Sequence, residues 1–383
     1  MKIGIDIRNI GKKRTGDEVV FFNLVKNLAQ IESQNEYHLF TDIIKEVELS
    51  EIKKSLNIAD KKNFKVIPLK CPNKFVWNAW TLPQYLKKNP VDVYHTQYIV
   101  PFFVSQKIKI ITTIHDVSFN AFPELIEKID LFFLKTLLKR SLKRSAKIIA
   151  VSQFTKDEII KYYGIAPEKI EVAYNAIGDE SKKPVSEEKI KTIKEKYHLP
   201  DKFILYLGTL QPRKNISMLI EAYQRIIDDE KDLKLVICGN RNAHNADPDI
   251  EEVMNEFDLA DRIIFPGFIP EEDKTAVFRL ATIFCSPSLY EGFSLTLLEA
   301  MAAEVPVVAS DIPAHREIAK DVPIYINPKD PNDLSKKLIL AAENKKMRDD
   351  AIAKGCERIK NFSWPDTARK MSDMYQKAIG VKP

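Results

Sequence analysis

Two glutamates in the second half of the chain have a spacing and a setting that suit binding of a long polar ligand. Glu291 and Glu299 lie in the segment 286–302, SPSLYEGFSLTLLEAMA, where a predicted strand leads through a turn into a helix that begins at Ser294 or Leu295. Glu299 then lies more than one turn inside the helix, so the two carboxylates reach different parts of the ligand. The first N–H groups of a helix have no intrahelical partner and suit a diphosphate. Outside this setting each glutamate is more often a cap or an exposed helix residue.

Two adjacent cations follow another predicted strand. Arg213 and Lys214 lie in the segment 208–215, GTLQPRKN. The planar guanidinium of Arg213 can bind a phosphate through two N–H groups, and Lys214 supplies a point charge. The alternative is a solvated basic turn before a helix.

These two segments resemble the retaining glycosyltransferases of the GT-B fold, in particular family 4 (glycosyl transferases group 1). The family signature is a Glu, seven residues and a second Glu in a Gly-Phe-rich context, together with a strand, a Gly and a Pro-Arg-Lys-Asn run. The resemblance implies that Glu291 binds hydroxyls of the donor sugar and that Glu299 binds the nucleotide ribose. It also implies that Arg213 and Lys214 stabilise the charge of the departing nucleoside diphosphate.

The resemblance further implies donor contacts made largely by backbone groups. The loop Pro266–Pro270, which follows a predicted strand, is expected to read the nucleobase through its backbone. The loop Gly239–Arg241, which follows another strand, is expected near the ribose or base. The residues assigned to donor binding, besides Glu299, are Gly16, Gly208, Gly239, Gly267, Phe268, Gly292, Phe293, Ser294, Leu295 and Thr296.

The loop at Gly16 departs from the fuller glycine pattern of the family. Asp17 and Glu18 follow Gly16, and two acids beside a diphosphate would repel it. They could instead face the acceptor or favour the N-terminus of the following helix.

Two histidines at predicted strand ends are candidates for binding sugar. His115 and Asp116 lie in the segment 114–118, IHDVS, which is similar to a His-Asp pair of the family. His115 could donate to a sugar hydroxyl or a phosphate oxygen, while Asp116 could orient His115 or touch the acceptor. The resemblance implies that His95 lines the acceptor side. A lone histidine is more often structural, which is the alternative for both.

The elements that position these residues alternate between strand and helix, which predicts an α/β protein with parallel sheets. Two such runs predict two Rossmann-like doubly wound domains facing a central cleft, an acceptor-binding domain at 1–178 and a nucleotide-sugar-binding domain at 179–363. The final segment, 364–383, is expected to form a helix that packs back on the first domain. Ligands of open parallel sheets lie outside the carboxyl ends of the strands, which is where the candidate residues occur.

Composition limits the class of protein. The chain has 383 residues, 45% of them hydrophobic, and its 59 Lys and Arg against 54 Asp and Glu give a net charge of +5. A dedicated nucleic-acid binder usually carries a stronger and more local positive charge. The small excess remains compatible with an anionic ligand or an anionic membrane surface.

The N-terminal residues and the cysteines predict a cytoplasmic address. Asp6 and Arg8 interrupt any signal-peptide core, and nowhere do 18 apolar residues run together. The four cysteines have no CxxC spacing and are interpreted as reduced thiols; they are Cys71, Cys238, Cys285 and Cys356. A basic helix predicted over Leu125–Lys147 could contact an anionic membrane surface peripherally, although such a run is more often a solvated face.

The expected function is therefore retaining transfer of a hexose from a GDP-mannose or UDP-glucose class donor to a hydroxyl of a glycan, glycolipid or lipid-linked acceptor. No cofactor beyond the nucleotide-sugar and no metal is expected, since basic residues and helix N-termini neutralise the diphosphate. The sequence Asp247-Pro248-Asp249 looks like a metal-binding Asp-x-Asp, but an N-cap is the preferred interpretation. The alternatives are a nucleotide-sugar epimerase of similar fold, a sugar phosphorylase, or a two-domain sugar-binding protein without catalysis.

Overall fold

The computed structural model describes residues 1–12, 16–178, 181, 183–228, 230, 232–243, 246–259 and 262–380. The chain forms two compact units, which are considered separately. The first consists of Met1–Asn175 together with the chain from Ser363 onward, and the second of Ala176–Phe362.

The first unit is built on a seven-stranded sheet with the order β3-β2-β1-β4-β5-β6-β7. All pairings among these strands are parallel. The strands are β1 Lys2–Asp6, β2 Glu36–Thr41, β3 Phe64–Pro68, β4 Val93–Gln97, β5 Lys109–Ile114, β6 Lys147–Ala150 and β7 Ile170–Val172. A strand buried on both faces favours continuous β-branched and apolar residues, and β5, KIITTI, has this composition.

Helices of the first unit connect these strands. They are α1 Asp17–Ile31, α2 Glu46–Ser55, α3 Lys74–Val76, α4 Leu82–Lys88, α5 Ser118–Ala121, α6 Lys128–Arg144 and α7 Gln153–Tyr163, with a π-helical turn at Trp77–Thr81 and 3₁₀ turns at Pro123–Leu125 and Pro167–Lys169. Local signals fix both ends of α7. The Ser152 side chain accepts from the Thr155 N–H, and Gly164 ends the helix in the left-handed conformation.

The second unit has a six-stranded parallel sheet with the order β10-β9-β8-β11-β12-β13. Its strands are β8 Lys202–Leu207, β9 Leu233–Cys238, β10 Ile263–Ile264, β11 Ile283–Ser286, β12 Val307–Ser310 and β13 Ile324–Ile326. Its helices are α8 Glu187–Lys196, α9 Ile216–Gln224, α10 Asp249–Glu256, α11 Glu271–Leu280, α12 Leu295–Ala302, α13 Pro313–Ala319, α14 Pro331–Glu343 and α15 Lys345–Ile359, and a 3₁₀ turn covers Pro212–Lys214.

The predicted α/β class with two Rossmann-like domains is confirmed. The apolar residues Val20, Leu24, Leu28 and Ile31 lie about one turn apart and predict a helix over Asp17–Ile31, and α1 has these bounds. The sequence pattern does not predict β7 or β13, because each has three residues and is only partly buried.

The last helix, α16 Trp364–Ala378, belongs to the first unit and packs against α1. The Thr367 hydroxyl donates to the Tyr174 carbonyl at 2.6 Å, and the Tyr375 hydroxyl lies 2.8 Å from Nδ1 of His95. These contacts explain the pattern of buried residues along one face of α16. No helix in the described ranges is long and apolar enough to cross a membrane.

Candidate active site

The centre of the candidate site in the second unit is Glu291, in the loop after β11. Its Oε1 lies 2.5 Å from Nζ of Lys214 and accepts from the Ser288 hydroxyl at 2.8 Å, and its Oε2 lies 3.4 Å from Nη1 of Arg213. Glu291 is only 7% exposed. The structure therefore brings together three of the residues that the sequence assigns to catalysis, and Ser288 joins them.

Hydrogen bonds between two loops hold this arrangement in place. The Leu289 N–H donates to the Arg213 carbonyl at 2.9 Å, and Arg213 Nη1 donates to the Tyr290 carbonyl at 3.1 Å. Asn215 has a left-handed backbone with φ of 60°, which Asn tolerates better than most residues, and its side-chain amide donates to the Pro287 carbonyl at 3.1 Å. The turn after β8 and the loop after β11 are thus fixed to each other.

The charges around Glu291 keep it ionised. Burial alone would raise the pKa of this carboxyl, but the attraction of Lys214 and Arg213 outweighs burial and lowers the pKa to about 2. Burial lowers the pKa of the neighbouring His315 to about 4 although Glu291 acts in the opposite direction. Arg213, Lys214 and the ionised Glu291 together carry one net positive charge. His315 is neutral and leaves this net charge unchanged. The cluster is suited to an anionic group and to sugar hydroxyls, which donate to a carboxylate.

The predicted donor-binding residues from Gly292 to Thr296 span the turn after β11 and the start of α12. Ser294, directly before α12, has φ of 72°, and its buried hydroxyl has no hydrogen-bond partner among the described residues. The Phe293 ring packs against Phe362 with a centroid distance of 5.8 Å and is almost fully buried, so its side chain belongs to the packing of the second unit. Leu295 and Thr296 form the first turn of α12, whose N–H groups point toward this turn.

Glu299 lies within α12 and is buried like Glu291. Its Oε1 lies 3.4 Å from Nζ of Lys274, and its Oε2 is buried without a hydrogen-bond partner among the described residues. Burial raises the pKa of Glu299, and Lys274 opposes that shift. No motif marks Lys274, which the sequence analysis missed.

Two glycines predicted to bind the donor have an additional structural role. The Gly208 N–H donates to the Cys238 carbonyl at 3.0 Å, which brings the ends of β8 and β9 together. A Cβ at Gly239 would lie 2.4 Å from the Gly208 carbonyl oxygen, so close backbone approach alone requires glycine there. Gly267 has φ of 83° and open space around it, and Phe268 is half exposed; both lie directly before α11.

In the first unit, His115 directly follows β5, as predicted for a residue at a strand end. Its Nε2 lies 2.9 Å from Oε1 of Gln97 and 3.8 Å from Oδ1 of Asp17. Asp116 instead accepts from the N–H and the hydroxyl of Ser118 at 3.0 and 2.7 Å, at the start of α5. The turn into α5 thus uses that carboxylate, and the role of Asp116 toward His115 or the acceptor stays a prediction.

Gly16 lies directly before α1 with φ of 47°, and positions 13–15 of its loop lie outside the described residues. Asp17 faces His115, as noted above, whereas Glu18 accepts from the Gly11 N–H at 2.8 Å. The two acids therefore have different surroundings within the first unit.

His95 requires a correction. It is fully buried, with Nδ1 2.8 Å from the Tyr375 hydroxyl and Nε2 2.7 Å from the Thr113 hydroxyl. Its ring also packs against Phe21 of α1. The side chain points from β4 into the layer covered by α1 and α16, so His95 does not line an acceptor surface.

The Asp247–Asp249 segment makes local contacts in the described structure. Asp247 accepts from the Asp249 N–H at 3.2 Å and from the Ser217 hydroxyl at 3.1 Å, while Pro248 occupies the N-cap position of α10. The proposed N-cap role is thus replaced by a turn just before the helix. Among the described residues, no group of three or more His, Cys, Asp or Glu could hold a metal ion.

Comparison with known proteins gives family matches over both units. Residues 188–358 match the sequence model of Glycosyl transferases group 1, and residues 14–181 match that of Glycosyltransferase Family 4. Together these matches span most of the chain.

Individual relatives agree with the family matches. The chain is 29% identical to the O-antigen chain mannosyltransferase B of Escherichia coli over 301 residues, which are 78% of this chain and 76% of that protein. It is 31% identical over 228 residues to the serotype-specific mannosyltransferase WbdA of Escherichia coli, covering 59% of this chain but only 28% of that protein. The chain therefore spans less than a third of WbdA.

Among solved structures, that of Anabaena HepE in complex with UDP-glucose is similar in fold. The TM-score is 0.74 over 98% of this chain and 100% of that chain, at 15% identity. The agreement supports the GT-B fold for two parallel-sheet units of this kind. The chain thus belongs to the group 1 glycosyltransferases of family 4, which are enzymes that transfer a sugar, and it has their GT-B fold.

Proposed function

We propose that the protein transfers a hexose from a nucleotide-sugar to a hydroxyl of a glycan, glycolipid or lipid-linked acceptor, with retention of the anomeric configuration. The observation that carries the proposal is the part-buried cluster of Arg213, Lys214 and Glu291. Its excess positive charge suits a diphosphate, and its ionised carboxylate suits the hydroxyls of the attached sugar.

Donors of the GDP-mannose class are the first choice and those of the UDP-glucose class the second. Two relatives from Escherichia coli are named as mannosyltransferases: the O-antigen chain mannosyltransferase B and the serotype-specific mannosyltransferase WbdA. HepE, a fold neighbour, was crystallised with UDP-glucose.

The reaction requires the bond between the anomeric carbon and the diphosphate oxygen to break while the acceptor oxygen forms a bond on the same face. Negative charge grows on the departing diphosphate, and Arg213 and Lys214 stabilise that charge most when it is largest. The acceptor proton passes to an oxygen of the donor diphosphate. Glu291, with its pKa of about 2, stays a carboxylate and orients the sugar through its hydroxyls.

The remaining site assignments are part of the same proposal. His115, whose Nε2 is paired with Gln97, binds the donor through its other ring nitrogen, and Glu299 accepts from the ribose. Asp116 lies beside the acceptor. The diphosphate is neutralised by the two cations and the N-terminus of α12, so the reaction needs no metal ion.

The backbone of the donor-binding segments completes the nucleotide-sugar contacts. The segments are those at Gly16, Gly208, Gly239, Gly267–Phe268 and Gly292–Thr296. In this proposal residues 1–178 bind the acceptor and residues 179–363 bind the donor, and 364–383 complete the first of these domains.

Contact with an anionic membrane surface at the cytoplasmic face is proposed for α6. Phe132 and Phe133 are 65% and 54% exposed, and Ile129 beside them is also exposed. Lys139 and Lys143 lie exposed on the same helix. Exposed aromatic and basic side chains on one helix suit an anionic bilayer surface, where a lipid-linked acceptor would lie.

The test is a donor panel. The protein is incubated with GDP-mannose, UDP-glucose and ADP-glucose, and release of the nucleoside diphosphate is measured with and without a mannoside acceptor. We expect slow hydrolysis of one donor and faster release with acceptor, with the product keeping the anomeric configuration of the donor. Interconversion of donor sugars without transfer would indicate an epimerase, and binding without turnover of any donor would contradict catalysis.

A further inference from the structure

Lys274, on the first turn of α11, is enclosed by two carboxylates. Its Nζ lies 2.7 Å from Oε2 of Glu271 and 3.4 Å from Oε1 of Glu299, and its side chain is 17% exposed. The contact with Glu299 joins α11 to α12. Nothing in the proposed reaction uses this lysine.

The partner carboxylate is only half satisfied. Oε1 of Glu299 faces Lys274, whereas Oε2 is buried and has no hydrogen-bond partner among the described residues. A buried carboxylate oxygen without a donor is costly, and a ligand hydroxyl would satisfy it. Lys274 fixes one oxygen and so determines where the other one points.

The place of Lys274 in the fold connects it to the nucleotide. α11 begins at Glu271, directly after the loop that contains Gly267 and Phe268, to which the nucleobase is assigned. The ribose of a bound nucleotide lies between its base and its diphosphate, and Glu299 is the group assigned to it. Lys274 is therefore next to the carboxylate that would bind the ribose, with its ammonium directed at the oxygen that the ribose does not use.

We propose that Lys274 is a positioning residue for the nucleotide: it holds Oε1 of Glu299 and thereby presents Oε2 to the vicinal hydroxyls of the ribose. This inference rests on the ribose-binding role of Glu299 in the proposed function. Lys274 itself does not touch the sugar that is transferred.

The experiment compares nucleotides with and without those hydroxyls. Binding of GDP and of 2′,3′-dideoxy-GDP to the full chain is measured by calorimetry, and UDP with its dideoxy counterpart is measured in the same way. The proteins are the unsubstituted chain, Lys274→Met, Lys274→Arg and Lys196→Met. Lys196 is the matched control, because it also pairs with a carboxylate of α11, Asp273 at 2.7 Å, but does not contact Glu299.

We expect the unsubstituted chain to bind the ribonucleotide roughly tenfold more tightly than the dideoxy nucleotide, since a hydrogen bond to a charged group has about that effect. Lys274→Met should lose most of this preference by weakening the ribonucleotide alone. Lys274→Arg should restore part of it, and Lys196→Met should keep it. A merely structural role would weaken both nucleotides equally.

Other results overturn the inference in distinguishable ways. If Lys274→Met keeps the full preference, or weakens both nucleotides to the same extent, Lys274 does not position Glu299, while the proposed function stands. If the unsubstituted chain binds both forms equally, Glu299 does not bind ribose and the inference falls with that role, whereas the donor panel still decides the transferase proposal. Melting curves without ligand check folding, and Lys274→Gln replaces Lys274→Met if the latter does not fold.

Discussion

Lys214 and Glu291 form a part-buried ion pair of 2.5 Å between residues 77 positions apart in the sequence. The pair connects the turn after β8 to the loop after β11, and both segments follow carboxyl ends of neighbouring strands. This contact contributes both to the shape of the site and to its charge, so substitutions at either residue should change binding as well as turnover.

Replacement of Glu291 by Gln should lower the turnover of donor with acceptor by at least about 10²-fold, because the amide cannot accept the sugar hydroxyls as strongly as a carboxylate does. The protein should remain folded with a moderate loss of stability, since Lys214 and Arg213 lose their partner. Turnover and urea unfolding check this result. The matched control is Glu221→Gln, which removes a carboxylate from an exposed ion pair with Arg225; it should leave turnover unchanged. Near-normal turnover in the Glu291 variant would contradict the assigned role.

Replacement of Arg213 by Ala should weaken binding of the nucleoside diphosphate and slow transfer on the order of 10²-fold, because the guanidinium no longer stabilises the departing charge. Arg213→Lys should recover only part of the rate, since a lysine cannot form the planar two-point contact. Steady-state kinetics and calorimetric titration with GDP measure both effects. Arg225→Ala is the control, because Arg225 lies on the surface of the same unit. If Arg213→Ala has the same kinetics as this control, Arg213 is not part of the site.

Stability should depend on pH through His95. Burial, followed by the charge of His115, lowers the pKa of His95 to about 3 from its ordinary value of 6.5. Between these two pKa values the unfolded chain binds a proton at His95 that the folded chain does not bind. The contribution of neutral His95 to the free energy of unfolding is therefore fully present above pH 7 and is lost as the pH falls from 6.5 toward 3. One such group changes the free energy of unfolding by about 1 kcal/mol per pH unit.

Urea unfolding at pH 7, 6 and 5 should therefore show a shallower pH dependence for His95→Gln than for the unsubstituted chain. The exposed His198 is the control; Asn replaces it because Asn tolerates its left-handed backbone, with φ of 51°. Equal slopes for the His95 variant and the unsubstituted chain would contradict the assignment.

Substitution of both Phe132 and Phe133 by Ser should reduce binding to vesicles of phosphatidylglycerol and phosphatidylcholine at least about tenfold. In the unsubstituted chain both aromatic side chains would move from water into the bilayer interface on binding, and the double variant loses this gain. Cosedimentation measures the fraction of protein bound to vesicles. The difference in binding between these vesicles and vesicles of phosphatidylcholine alone gives the electrostatic contribution. Ile44→Ser, an exposed apolar position outside α6, is the control. Undiminished binding of the double variant would exclude α6 as the contact surface.

The elements that sequence predicts best have strong local signals. The run of β-branched residues in β5 and the periodic apolar residues of α1 each determine their own structure. The motif around Glu291 likewise predicts a strand, a turn and a helix, because all three are local. The contact between Glu291 and Lys214 cannot be predicted from either segment alone, because it depends on β8 and β11 being neighbours in the sheet.

Long-range packing explains the residues that sequence could not place. The end of β4 suggests an accessible His95, but its orientation depends on α16, whose Tyr375 lies 280 positions later. Lys274 is similar, since its pairing with Glu299 arises from the packing of α11 on α12 and has no sequence motif.

The inclusion of α16 in the first unit also bears on how the chain folds during synthesis. β1 to β7 leave the ribosome before the second unit, yet the hydroxyl that meets His95 and the helix that covers α1 are made after it. The second unit, Ala176–Phe362, is continuous in sequence and can close while the first still lacks part of its cover. Completion of the first unit therefore waits until α16 has been made, and a ribosome stalled before residue 364 would carry a complete second unit and an incomplete first one.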